Sequence, residues 1–394
     1  MEKKTLFLSY SRHQRKFFNY LRVNMESNSA FLLISLFCFI KGTFEKQTIV
    51  LSRKDIDQIV EYSFLKFKAS RKKGDEDFIN QLYYKYLLYK TRVLYNYFYR
   101  YIKDNDVNLV VVWNGYHVEP ASCVKAARVA GIKVLYMENG FFPRTIVVDE
   151  KGVNAANSLV GKDAQFYQKV QMVPEKLAQL KETKLVPREL RRKYFGKEAL
   201  DLPPRYFFLP FQVYTDTQVL LNSPQIHNMH ELVDQVYSAL EKYNHKYNQD
   251  HWLVIKEHPS DFGRINYNGL KKKYKNKKVI FTTTLPSSEL IESSRAVITI
   301  NSTVGIEALL KGKPVITLGE AFYNVEGLVH HCIDLSRLQD DMWNAVSEKM
   351  NSGLVDKFLY YLRYQYLVEI DKKNLTKENI VPVLNKISEV SGEK

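Results

Sequence analysis

Cysteine is scarce in this chain. Cys38, Cys123 and Cys332 lie far apart among 394 residues and form no Cys-x-x-Cys pair. That excludes a disulfide scaffold and a cysteine-type zinc site, and it suits a reducing cytosol. Glycine (16) and proline (12) are few, which excludes collagen-like and low-complexity chains. Long apolar runs are also missing. The most apolar stretch, Ala30 to Ile40, is well short of the roughly 18–20 residues a membrane-crossing helix needs. The N-terminus has a basic start but only a short apolar run and no small-residue cleavage site, so no signal peptide is expected. Acidic residues are outnumbered, 43 against 58 Lys and Arg, leaving a net +15. The expected place is the cytoplasm, with peripheral contact at the inner membrane. The excess positive charge asks for an anionic partner: nucleic acid, a lipid surface or a negatively charged sugar.

What is abundant is aromatic and aliphatic side chain. There are 27 Tyr, 22 Phe and 3 Trp, and 45% of residues are hydrophobic, enough for packed cores in two domains. From Ile56 to Ile102 large apolar groups recur at helical spacing, as in Phe78, Leu82, Tyr83, Tyr86 and Leu87. This Tyr-rich stripe reads as helix packing. The pattern then changes to strand, helix, strand: Asn108–Trp113, Pro120–Ala130, Ile132–Met137. The second half repeats it, with strands at Tyr206–Val213, Trp252–Lys256, Lys278–Phe281, Ala296–Ile300 and Lys313–Leu318. Short links between such elements make βαβ units of a parallel sheet. The expected fold is α/β, with two Rossmann-like domains facing across a cleft and C-terminal helices crossing back. The polar stretch Val160–Leu202, punctuated by Pro174 and Pro187, reads as the linker. Domain limits follow at 1–200, 201–335 and 336–394.

Ligands in such folds sit at the carboxyl ends of strands. Asn301-Ser302-Thr303-Val-Gly305-Ile-Glu307 follows one strand end and opens a helix. Backbone N–H groups and hydroxyls at a helix start can hold an anion; the dipole itself adds only about 0.3–1 kcal/mol. A plain Ser/Thr cap with Glu as capping-box partner is the alternative. Lys256-Glu-His258-Pro259 ends another strand, and the proline holds His258 extended.

Together these motifs resemble the nucleotide half of bacterial CMP-sugar transferases, in particular the capsule-synthesis family that contains β-Kdo transferases. Gly312-Lys-Pro314-Val, Ala127-Arg-x-x-Gly131 through Glu138-Asn139-Gly140, Asp149-x-x-Gly152-Val-Asn154 and Phe211-Gln212-Val-x-x-Asp216-Thr-Gln218 agree with it. The likeness runs motif by motif over residues 108–323. It implies a GT-B glycosyltransferase that moves Kdo from CMP-Kdo to a glycan or lipid-linked glycan in capsule or O-antigen (lipopolysaccharide) synthesis. The first domain then takes the acceptor and the second takes the CMP-sugar through Lys256, His258, Pro259, Asn301, Ser302, Thr303 and Glu307. No Asp-x-Asp motif lies near that set, so no metal and no cofactor is expected. A β-linked product from a β-configured donor means retention, hence two displacements. Asp216 is assigned as nucleophile and Glu138 as base, with the reverse assignment open. Arg12, His13, Arg15, His117, Asn139, Asn154 and Gln212 are candidate substrate or acceptor contacts. The basic run Lys271–Lys278 reads as a solvated face or an anionic-surface contact. An inverting CMP-sialic acid transferase is the near alternative, and a basic nucleic-acid-binding protein the distant one; no zinc finger or RNP-type motif favours the latter, and no nucleic acid is expected as partner.

Overall fold

The computed structural model describes residues 4–45, 50–71, 76–183 and 201–392, the side chains of residues 13, 76 and 77 excepted. It divides into two compact α/β units: Met1–Ser158 with Tyr366–Lys394 (unit 1), and Leu159–Gln365 (unit 2).

Unit 1 begins with β1 (Lys4–Ser9), α1 (Arg12–Val23), β2 (Ser29–Leu33), α2 (Leu36–Phe44), α3 (Arg53–Ala69) and α4 (Glu76–Asp104). There follow β3 (Val107–Trp113), α5 (Val118–Val129), β4 (Lys133–Asn139) and β5 (Thr145–Asp149). Strands β2, β1, β3 and β4 are parallel, in register at Phe7–Val111 and Val110–Val134. β3 is apolar on both faces because helices cover both. Leu109 and Val111 enter the core with Phe17, Phe18 and Leu21 of α1, while Val110 and Val112 are equally buried on the opposite side. β5 turns back antiparallel to β4. Gly140 opens that hairpin, and a Cβ there would collide with Thr145.

Unit 2 holds α6 (Ala164–Gln168), α7 (Pro174–Lys181), β6 (Tyr206–Pro210), α8 (Thr217–Leu221), α9 (Met229–Lys246) and β7 (Trp252–Lys256). It continues with α10 (Asn268–Lys273), β8 (Val279–Thr282), α11 (Ser287–Ser293), β9 (Ala296–Thr299), α12 (Val304–Leu310) and β10 (Val315–Thr317). β11 (His330–His331), α13 (Leu338–Ser347) and α14 (Ser352–Tyr361) complete it. All six strands are parallel, in the order β11-β10-β9-β6-β7-β8. α9 lays Leu232, Val233, Val236 and Leu240 into the core at the three- and four-residue spacing of one helix face. The chain then returns to unit 1 as β12 (Val368–Glu369), antiparallel to β5, and α15 (Lys377–Ser391).

The fold class read from the sequence is borne out, but three details change. The boundary expected at residue 200 falls at 158/159. The short helices α6 and α7 are polar outside yet bury Tyr167 and Leu180, and Tyr167 packs its ring on Phe358 of α14 at 5.1 Å. The rest of the expected linker, including Pro187, lies outside the described residues. The return to unit 1 starts at Tyr366, not at 336, because α13 packs on α9 and β10 within unit 2. Finally, the basic turn after β1 is the first turn of α1, with Ser11 as N-cap accepting from Gln14 N. No described helix is long and apolar enough to cross a membrane.

Candidate functional site

In unit 2 the loops after β6, β7 and β9 carry the second-half motifs. Lys256, the last residue of β7, is 8% exposed and its Nζ donates to Ser287 Oγ at 3.0 Å, at the start of α11. Burial lowers the Lys256 pKa, and the carboxylates of Glu307 and Glu289 oppose that shift. Burial raises the Glu307 carboxyl, and Lys256 opposes it in turn. Each charge thus favours the ionised form of the other against the burial that disfavours it, which joins the Lys256 and Glu307 motifs electrostatically.

His258 Nδ1 accepts from Ser260 N at 3.1 Å. A neutral imidazole held this way carries its proton on Nε2. Ser302 Oγ accepts from Val304 N at 3.2 Å, and Ser302 N donates to Thr299 Oγ1. The Ser302 carbonyl accepts from Tyr323 OH, a fully buried phenol. That phenol explains Gly305, where a Cβ would lie 2.7 Å from the Tyr323 oxygen. Replacing Gly305 by Ala is expected to push the start of α12 off Tyr323 and cost about 1–3 kcal/mol, read as a lower urea midpoint at unchanged slope.

Two expectations change here. α12 has only seven residues, and Thr303, exposed at its N-cap, makes no side-chain capping bond. Anion binding at this point therefore falls to hydroxyls and amides and not to a long helix dipole. Asn301 and Gln212, expected to touch substrate, are buried and bonded to each other. Gln212 Nε2 donates to Asn301 Oδ1 at 2.9 Å, and Asn301 N donates to Gln212 Oε1 at 3.1 Å. Asn301 Nδ2 donates to the carbonyls of Gln218 and Asn222. The pair is an internal strut that pins the loop after β9 to the loop after β6.

Asp216 is the N-cap of α8, its Oδ1 accepting from Gln218 N at 3.0 Å and Thr217 Oγ1 at 3.2 Å. Sequence reading missed Asp261. Its side chain is 1% exposed, and Oδ2 accepts from Tyr214 N at 3.3 Å. Its own N–H donates to the His258 carbonyl at 2.9 Å. Asp261 therefore ties the His258 loop to the loop that carries Asp216. Burial pushes its carboxyl up to about 6. The only sequence signal was its position two residues after the His258-Pro259 pair.

Half of the lysines in the basic run after residue 270 are ion-paired: Lys271 with Glu257, Lys273 with Asp234 and Lys278 with Asp250. This matches the solvated-face reading and weakens the anionic-surface one.

In unit 1 the candidates gather at the carboxyl ends of β1, β3 and β4. Asn114, held at φ 66°, donates from Nδ2 to Glu138 Oε2 at 2.8 Å, while Glu138 Oε1 accepts from Asn139 N at 2.8 Å and Asn139 Nδ2 at 3.1 Å. Lys372 donates to Asn139 Oδ1 and lies over the Trp113 ring at 4.6 Å. Burial lowers the Lys372 pKa, and Glu138 opposes that shift. His117 stands between the rings of Tyr10 and Tyr62, at 5.4 and 5.0 Å. Burial, with Lys66 adding to it, holds the His117 pKa down at about 4, so it is neutral at pH 7. Beside Asn114 lies a hollow of about 270 Å³ whose lining includes Tyr116, Lys125, Arg128, Tyr136 and Lys151. Its rim is rigid because Asp149 accepts from Lys151 N, Gly152 N, Ser158 N and Oγ, and Tyr366 OH. Asn154 begins a 3₁₀ turn on that rim at φ 56°. Arg12 and Arg15 are exposed on the first turn of α1; the His13 side chain lies outside the described residues.

Residues 191–369 match the family profile of capsule polysaccharide biosynthesis proteins. Protein FixF of Sinorhizobium fredii (strain NBRC 101917 / NGR234) is 38% identical over 270 residues, 68% of this chain and 61% of that protein. Capsule polysaccharide export protein KpsS of Escherichia coli is 29% identical over 257 residues, 52% of this chain and 65% of the relative. The chain thus spans less than two thirds of either relative's length. Among solved structures, the β-Kdo 2,7 transferase of KpsC from Thermosulfurimonas dismutans aligns over the whole of both chains, with a TM-score of 0.50 at 17% identity, a likeness of fold. The motif resemblance is borne out as a likeness: residues 191–369 match the profile of capsule polysaccharide biosynthesis proteins.

Proposed function

We propose that this chain is a glycosyltransferase that moves Kdo from CMP-Kdo to a sugar acceptor of a surface polysaccharide, with retention. The observation that carries the reading is the charged set in unit 2. Lys256 and Glu307 favour each other's ionised form, and the His258 and Ser302 motifs stand at strand ends of the same parallel sheet. The set fits a nucleoside monophosphate. His258 Nε2–H and the Ser302 and Thr303 hydroxyls donate to the phosphate, Glu307 accepts from ribose hydroxyls, and Lys256 supplies a cation to a leaving group that gains charge.

In the first displacement the Asp216 carboxylate attacks the anomeric carbon. The bond from that carbon to the phosphate oxygen breaks, and CMP departs with the electron pair. In the second, Glu138 takes the proton of the acceptor hydroxyl, whose oxygen displaces Asp216. Glu138 is held for this by Asn114 and Asn139, and the hollow beside Asn114 is the proposed seat of the acceptor sugar. The donor's own carboxylate repels an attacking Asp216, so cations are required nearby.

Thermal-shift titration tests the donor assignment. CMP is expected to raise the melting temperature at concentrations where AMP, GMP and UMP do not. His258→Ala is expected to weaken CMP at least tenfold while leaving the melting temperature of the free protein nearly unchanged. Equal response to all four nucleotides would refute the assignment.

A further inference from the structure

The stripe that the sequence assigns to helix packing is packed in part: Leu87 is buried and Tyr83 stacks on Phe67 at 3.8 Å, but one edge is left bare. On α4, Phe78 (78% exposed), Leu82 (58%), Tyr86 and Tyr89 recur every three or four residues along one exposed edge. On α2, Leu36 (71%), Ile40 and Phe44 (83%) form a second edge, with Phe37 (65%) beside it. The two edges are joined, because Phe39 meets Tyr89 edge-to-face at 5.8 Å and Gly42 lets α2 sit against Val93 and Tyr97 of α4. Every phenylalanine, tyrosine or tryptophan that is mainly exposed among the described residues lies on these two helices. A soluble surface rarely leaves such a continuous apolar face bare.

Between Leu36 and Phe44 and between Phe78 and Arg92 every charged residue is basic, while Glu45 and Asp75-Glu76-Asp77 flank the outer ends in the sequence. Lys41 on α2, and Lys85 and Arg92 on α4, are exposed beside the apolar edges and pair with no carboxylate among the described residues. Apolar rings with unpaired Lys and Arg beside them suit a helix pair lying in the interface of an anionic bilayer: the rings enter the acyl boundary and the cations meet headgroup phosphates. A second copy of the chain on the same face would bring these cations against each other, on a molecule already at +15. We infer that α2 and the first half of α4 form a membrane-docking face for anionic lipid. The inference is independent of the transfer reaction, and it places the lipid contact on unit 1 instead of on the half-paired lysine run of unit 2.

Flotation of the full chain with vesicles tests it. Vesicles containing phosphatidylglycerol are expected to carry the protein at least tenfold better than pure phosphatidylcholine, and 0.5 M salt is expected to remove most of that difference. Phe37→Gln with Phe44→Gln removes apolar contact; Lys85→Gln with Arg92→Gln removes charge. All four positions are exposed, so an unchanged melting temperature is expected, and each pair is expected to cut flotation at least fivefold. Three results would overturn the inference: no flotation with phosphatidylglycerol, equal flotation with both lipids, or undiminished flotation of both variants. Sedimentation of a lipid-free dimer that Phe37→Gln with Phe44→Gln dissociates would assign the face to a second copy instead.

Discussion

Asp216→Ala is expected to lose at least a thousandfold in Kdo transfer, because on the proposed route no bond to the sugar forms without that carboxylate. Folding should change little: Asp216 caps only the five-residue α8, and loss of such a cap costs about 1 kcal/mol. The informative partner is Glu138→Gln. If Glu138 serves as base, the first displacement proceeds and the second stalls, so a Kdo ester accumulates on Asp216 and intact-protein mass spectrometry finds it. An adduct on Glu138 in Asp216→Asn protein reverses the two roles. Full activity of Asp216→Ala ends the double displacement altogether. CMP binding by Asp216→Ala, followed by thermal shift, separates a failed mechanism from a failed donor assignment.

The second large effect concerns Asp261 and pH. Burial raises its carboxyl to about 6, against about 3.9 in an unfolded chain. Between these values the folded protein keeps a proton that the unfolded chain has released. Stability from this group is therefore complete below about pH 4 and is lost as pH rises through 6, a change of about 2–3 kcal/mol for the two-unit difference. Asp261→Asn keeps the shape and an acceptor for Tyr214 N but cannot ionise. It is expected to raise stability at pH 8 by about 2 kcal/mol and to leave it nearly unchanged at pH 4. Urea midpoints at the two pH values decide the matter; equal shifts at both would show that Asp261 titrates normally. Because Asp261 joins the loops of His258 and Asp216, the same substitution is expected to flatten the pH dependence of CMP affinity between 5 and 7.

Much of the sheet architecture was legible because a strand covered on both faces leaves a plain mark. Leu109 to Val112 is an unbroken apolar run, and Ala296 to Ile300 is interrupted only by Thr299. β5 and β12 left no such mark in context, since their place at the antiparallel edge is set by a hairpin and by a strand arriving from more than two hundred residues away. Site motifs were legible as chemistry but not as accessibility. Asn301 and Gln212 look like ligand groups until their mutual hydrogen bonds are seen, and Asp261 acquires its role only through Tyr214 and the His258 carbonyl. The apolar stripe on α4 teaches the converse. Periodicity shows that Phe78, Leu82 and Tyr86 share a face, but whether protein or solvent covers that face is decided by tertiary structure alone.

Unit 2 interrupts unit 1 in the sequence, and this bears on synthesis. Ile380, Val383 and Ile387 of α15 are wholly buried in the unit 1 core, Lys133 Nζ donates to the Val390 carbonyl, and β12 pairs with β5. A ribosome that has already released Ser158 cannot yet supply any of these groups. The earlier-made part of the protein must therefore wait, with one side of its sheet partly bare, until β12 and α15 have emerged. Unit 2 lacks no late segment of this kind and is free to mature first.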